Sequence, residues 1–169
     1  MEFLNEAIAT LSRTPQEAAD LTRGLTEEQL SWRAKADFFS LRENVLHLRD
    51  IDVEAYEGRV RRVLNETCPV LAGVEGGKLA IERNYNAQPI EPALEDLRRS
   101  RAASMELLKA CTDADLSRKA EMQGAGVIDL RRLLEFWMEH DGGHLKDMAE
   151  LRRAIDTGAA PTFAQHQAA

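Results

Sequence analysis

The chain has 169 residues, enough for one domain with a substantial core and too few for two ordinary ones. With 44% hydrophobic and 30% charged residues, it has the balance of a charge-rich globular protein and not of a disordered one. Its 22 Lys and Arg against 29 Asp and Glu give a net charge of −7, which argues against nucleic acid as a partner.

No apolar run approaches the ~20 residues of a membrane span, and no secretory signal pattern opens the chain, so no membrane partner is expected and the cytoplasm is the expected compartment. Helical periodicity dominates, and strand signals are almost absent. Leu4, Ala7, Ile8 and Leu11 mark a first helix with a break at Thr14-Pro15, so the region is either two short helices or one kinked helix. There Thr14 reads as an N-cap, Pro15 as the first helical residue and Glu17 as the closing member of a capping box. The pattern continues through Ala18 and Leu21 to a stop at Gly24, and Thr26-Glu27-Glu28 opens a short turn of helix through Leu30.

Ser40-Leu41-Arg42-Glu43 is the clearest start in the chain, an S-x-x-E capping box leading into Leu41, Val45, Leu48, Ile51 and Ala55. It predicts a second long helix to about Asn65, on which Arg59, Arg61 and Arg62 read as a solvated face. Residues 66–90 hold Pro69, Gly73, Gly76, Gly77 and Pro89, a long connection with room for a short helix at 78–83. A connection of that length is often a lid or a substrate-shaping element. Pro92 opens a third helix with the stripe Leu94, Leu97, Arg101, Ser104, Leu108 and Cys111. After a polar connection at 112–126, a fourth helix runs from about Val127 to Ile155. The expected fold is all-α, a four-helix bundle in one domain over 1–156, with 157–169 a weakly ordered tail.

The fourth helix carries the chemistry. Its apolar stripe, Leu130, Leu133, Leu134 and Trp137, continues through His140, Asp141 and His144 to Met148, Leu151 and Ile155. Positions i and i+4 lie roughly 40° apart around a helix, so both imidazoles can reach one point on the buried side. Rings turned toward a core are costly unless their nitrogens are satisfied, which a metal ion does directly. A third ligand must come from elsewhere. His47, on the flank of the second helix's stripe, is the candidate, whereas His166 lies in the tail as a solvated end residue. Three imidazoles leave a coordination position open, as catalytic sites do.

Asp141 is a candidate partner or base, Asp50 and Glu54 follow His47 on roughly its side, and Glu139 points more outward. The plainer alternative is a pair of core histidines bonded to Asp141 or to backbone carbonyls. H-D-G-G-H also lacks the glutamate of H-E-x-x-H, which excludes a zinc peptidase of that type. Arg101, interrupting an apolar stripe, is either neutralised by a carboxylate across the bundle or an anion-binding group for a thiol or substrate. Cys68 and Cys111 are isolated and read as packed thiols, with a reactive role for Cys68 the weaker alternative.

The stretches T-P-Q-E-A-A-D-L-T-R-G-L-T-E-E-Q-L-S-W-R-A, F-F-S-L-R-E-N-V-L-H-L-R-D-I-D and L-R-R-L-L-E-F-W-M-E-H-D-G-G-H-L resemble the DinB/YfiT-like superfamily over most of the chain. The firmest anchors are the Ser40 capping box seven residues before His47 and the run Trp137-x-x-His140-Asp141-x-x-His144. The resemblance implies a four-helix bundle with a divalent metal on His47, His140 and His144. It also implies a thiol-dependent transferase or isomerase using bacillithiol, mycothiol or glutathione. This chain departs from the family at Phe39, where tryptophan is common, at Gly143, where many relatives have histidine, and at Asp147, where they tend to have glutamine.

The leading expectation is therefore a metal-dependent enzyme acting on a small molecule. Zinc or nickel comes first and iron after them, with a low-molecular-weight thiol as co-substrate and a homodimer as the expected assembly. The alternatives are a binding module without turnover and a hydrolase using water at the metal.

Overall fold

Apolar side chains at three- and four-residue spacing build four rods, and the computed structural model describes them over residues 1–163. The first rod is interrupted: α1 (Glu2–Leu11) is followed by α2 (Thr14–Thr22), with Pro15 in the first turn of α2, where its missing N–H costs nothing. The short α3 (Glu27–Ser31) is closed by a capping box between Thr26 and Gln29. The second rod begins at α4 (Leu41–Ile51), where Ser40 and Glu43 bond each other's backbone N–H as the sequence pattern predicts. It then widens to i→i+5 hydrogen bonding over Asp52–Glu57 and returns to an α-helix as α5 (Gly58–Asn65).

The connection at 66–90 carries β1 (Val70–Leu71) and α6 (Gly76–Glu82) before the third rod, α7 (Ile90–Lys109). A hairpin of β2 (Lys119–Met122) and β3 (Gly126–Asp129) then leads into the fourth rod, α8 (Leu130–Thr157). Among the described residues, no helix is long and apolar enough to cross a membrane.

Three expectations need correction here. The chain is not free of strands: β1 pairs in parallel with β2, and β2 pairs antiparallel with β3, in the register Leu71↔Met122 and Met122↔Gly126. Gly124 and Gly126, both at positive φ, make the turn. The fourth helix consequently starts at Leu130 and not near Val127, capped by Asp129, which accepts from the Arg132 N–H. Thr14 does not cap α2 either. It sits inside the helix, and its hydroxyl crosses the bundle to Asp141.

The core falls into two clusters. One gathers Leu4, Leu11, Ile51, Tyr56, Leu108, Leu133 and Trp137; the other gathers Ala18, Leu46, Leu48, Leu97, Met148 and Leu151. On α8, Trp137 belongs to the first and Met148 to the second, so His140, Asp141 and His144 lie between two dry layers. Full burial of each large side chain contributes roughly 1.5–3 kcal/mol and fixes the rods that carry the polar layer. Beyond α8 the chain turns at Gly158, Thr162 bonds the Glu150 carboxylate, and the Phe163 ring lies 4.6 Å from that of Phe38.

Candidate metal centre

The Ser40 cap fixes where α4 starts, and seven residues on, two turns deep, it delivers His47 into the interior at 1% exposure. His140 and His144 project from α8 and are half-buried. The three rings meet: their centroids are 4.4 to 5.1 Å apart, and one ligating atom from each lies within 4.8 Å of the others. The Nε2 atoms of His47 and His140 are 3.0 Å apart. A tetrahedral zinc with nitrogens at about 2.0–2.1 Å spaces them by roughly 3.4 Å.

Hydrogen bonds on the far side of two rings decide which nitrogen faces inward. His144 Nδ1 is 2.8 Å from Asn44 Oδ1, and the Asn44 amide is oriented by its own Nδ2 donating to the Ser40 carbonyl at 2.9 Å. His140 Nδ1 is 3.2 Å from Asp141 Oδ1. Both rings therefore carry their proton on Nδ1 and turn the Nε2 lone pair toward the cluster, the tautomer a metal ligand requires. Among the described residues His47 has no such partner: its Nδ1 is buried and unbonded. Burial, with His140 adding to it, pushes the His47 pKa down to about 3, so this ring stays neutral at physiological pH. Three imidazoles whose ring nitrogens converge on one point offer a borderline cation its preferred donors. The donor set fits a divalent ion.

Asp141, buried and 3% exposed, accepts from His140, from the Thr14 hydroxyl at 2.9 Å and from Arg101 Nη1 at 2.7 Å. Burial works against its charge, but Arg101 and the His140 hydrogen bond outweigh that and hold its pKa below the usual carboxylate value. Its oxygens are thereby engaged by His140, Thr14 and Arg101. Arg101 turns its guanidinium inward, with Nε on Asp52 at 2.7 Å and Nη1 also on the Leu11 carbonyl. The anions it meets are the protein's own.

Asp50 accepts from Arg49, from Arg83 and from the Tyr85 hydroxyl at 2.6 Å, and Arg83 also pairs with Glu54. This ties α4 to the 66–90 connection and leaves the three rings to other partners. Burial raises the Asp50 pKa, but the bonds from Arg49, Tyr85 and Arg83 bring it below its ordinary value. A carboxylate lowered in this way stabilises the fold above its unfolded pKa of about 3.9, and the contribution is lost as pH falls through the folded value. Melts from pH 5 to pH 2.5 are thus expected to drop more steeply below about pH 4 in the wild type than in Asp50→Asn. Parallel curves would remove Asp50 from the account.

Glu139 is exposed and pairs with Arg132. Cys68 is exposed, Cys111 is buried, and His166 lies outside the described residues. Phe39 packs its ring 5.2 Å from His47 and 6.3 Å from His144. Asp147 lines a small notch beside His144 with Phe39, Asn44 and Phe163.

Sequence reasoning missed Asn44, whose signal was a polar residue one turn before His47 on the same face. It also missed Gly76. A Cβ at that position would lie 2.3 Å from His47 Cε1 and 2.8 Å from its Nδ1, far inside contact distance. Gly76→Ala is expected to bind metal at least about tenfold more weakly by displacing the His47 ring. Unchanged affinity in a chelator competition would show that the ring moves aside without cost.

A family model for the DinB superfamily matches residues 10–148. A protein of Geobacillus kaustophilus named "Putative metal-dependent hydrolase" is 27% identical over 151 residues, covering 89% of this chain and 84% of its own. One of the same name from Geobacillus thermodenitrificans is 27% identical over 153 residues, covering 90% and 85%. Among solved structures, YfiT from Bacillus subtilis, described as a probable metal-dependent hydrolase with an unusual four-helix bundle topology, superposes with a TM-score of 0.83. It is 19% identical and covers 90% of this chain and 87% of its own, a likeness of fold.

Proposed function

Because the chain belongs to the DinB superfamily, we propose that it is a divalent-metal-dependent hydrolase of small molecules, with His47, His140 and His144 as the metal ligands. The observation that carries this reading is the convergence of three imidazoles, two of them locked by Asn44 and Asp141 with Nε2 inward. The names given to the Geobacillus relatives favour hydrolysis over thiol transfer. So does the commitment of Arg101, the group expected to hold a thiol's anion, to Asp52 and Asp141. A divalent ion bound there supplies Lewis-acid activation of water and of a substrate carbonyl.

The chain's own residues do the rest. Asp141 and Asn44 keep two rings aligned, the two apolar layers exclude bulk water from behind, and His140 opens on a cavity of about 440 Å³. That volume is within the range of small-molecule sites. The test is turnover of a panel of esters and amides by zinc-, nickel- and iron-loaded protein, with and without bacillithiol, mycothiol or glutathione. Hydrolysis without added thiol, abolished in His140→Ala, is the expected result. Activity that appears only with thiol would return the transferase reading, and metal binding without any turnover would leave a binding module.

A further inference from the structure

The cavity beside His140 has an apolar lining with one cation in its wall. Ile51, Ala55, Val74, Met122 and Phe136 supply the apolar surface, and Arg59 supplies the charge. The sequence reading placed Arg59 with Arg61 and Arg62 on a solvated face, but the three diverge. Arg61 pairs with Glu57 and Arg62 with Glu66, each within one helical turn. Arg59 is half-buried and, among the described residues, has no carboxylate partner. Its Nη2 donates to the Ala72 carbonyl at 2.7 Å, and its Cζ lies 5.8 Å from the Tyr56 ring centroid.

The Tyr56 ring is in turn 5.5 Å from the His140 ring and stacked on Trp137 at 5.0 Å, with its hydroxyl bonded to the Phe136 carbonyl. Arg59 and the metal ligand thus flank one immobilised aromatic ring. Burial lowers the Arg59 pKa, as expected of a cation held without a counter-charge. The nearest acid in the lining, Glu139, shares its charge with Arg132 at 2.9 Å.

We propose that Arg59 is the substrate-recognition cation of this cavity, selecting small molecules with an apolar body and a terminal oxyanion group such as a carboxylate. This deepens the hydrolase reading and rests on it for which end of the molecule reacts. The anion docks at Arg59, the body lies along Tyr56 and Phe136, and the opposite end reaches His140. A half-buried guanidinium held by one carbonyl keeps donors free for an incoming oxyanion.

The test is calorimetric titration of the full chain with pentanesulfonate and with its neutral counterpart pentyl methyl sulfone. A sulfonate is a weak metal ligand, so its preference reads Arg59 and not the histidines. The wild type is expected to bind the sulfonate about tenfold or more tightly than the sulfone. Arg59→Gln should bind the two equally, and Arg59→Lys should keep part of the preference. Equal affinities in the wild type, no binding of either compound, or a preference that survives in Arg59→Gln would overturn the proposal; the wild-type comparison decides even if the Gln variant misfolds. Zinc content measured on the same samples separates the two readings. An Arg59-dependent preference without bound zinc would sink the hydrolase alone, and bound zinc without the preference would sink Arg59 alone.

Discussion

His140→Ala and His144→Ala proteins are expected to retain their helical content and to lose more than about 100-fold in zinc affinity, as read by competition with a chromophoric chelator. Loss of a partner that merely orients a ligand typically costs 10–100-fold, so loss of a ligand itself must exceed that. The fold should persist because both rings are half-buried and sit between apolar clusters that close without them. His47→Ala should lose metal to the same degree but also some stability, since that ring is 1% exposed and its removal leaves a cavity. Glu139→Gln is the control: exposed and paired with Arg132, it should bind zinc as the wild type does. Full metal retention in both α8 variants would dismiss the three-histidine centre.

The second large effect concerns the ion network beneath the centre. Arg101→Met is expected to cost about 3–5 kcal/mol, because it strands two carboxylates, Asp52 at 1% and Asp141 at 3% exposure, without their cation. Against a total stability on the order of 5–15 kcal/mol, that is a loss of about a fifth or more. Burial already raises the Asp52 pKa even beside Arg101, so adding Asp52→Asn to Arg101→Met should recover part of the loss. The same variant should weaken zinc binding about 10–100-fold, since Asp141 then loses one of the groups that aim it at His140. Denaturant melts and metal titration of the single and double variants check both claims. A change in unfolding free energy below about 1 kcal/mol would mean the network is idle.

The legible parts of the chain were those written in local chemistry. The Ser40–Glu43 cap, the apolar stripes of the four rods and the placement of His140, Asp141 and His144 on the buried side of α8 follow from spacing alone. The illegible parts depend on partners far away in sequence. β1 is two residues long and β2 and β3 are four each, too short to display an alternating pattern. The wider turn at Asp52–Glu57 is a choice of hydrogen-bond register, which side-chain periodicity does not encode, and such turns recur near functional sites.

Thr14 and Glu17 have capping-box spacing, yet the hydroxyl is claimed by Asp141, 127 residues away. Arg101 was readable as a paired or an anion-binding arginine, and only packing decided between them. Arg59 shows the converse, since three similar arginines in one segment differ by which of them has a carboxylate one turn away.

X-ray absorption at the zinc edge, on protein made without a histidine tag, addresses the centre itself. One ion per chain is expected, with three imidazole nitrogens at about 2.0–2.1 Å and one exchangeable oxygen ligand. A sulfur-containing shell, a shell with fewer than three imidazoles, or no stoichiometric metal at all would contradict that expectation.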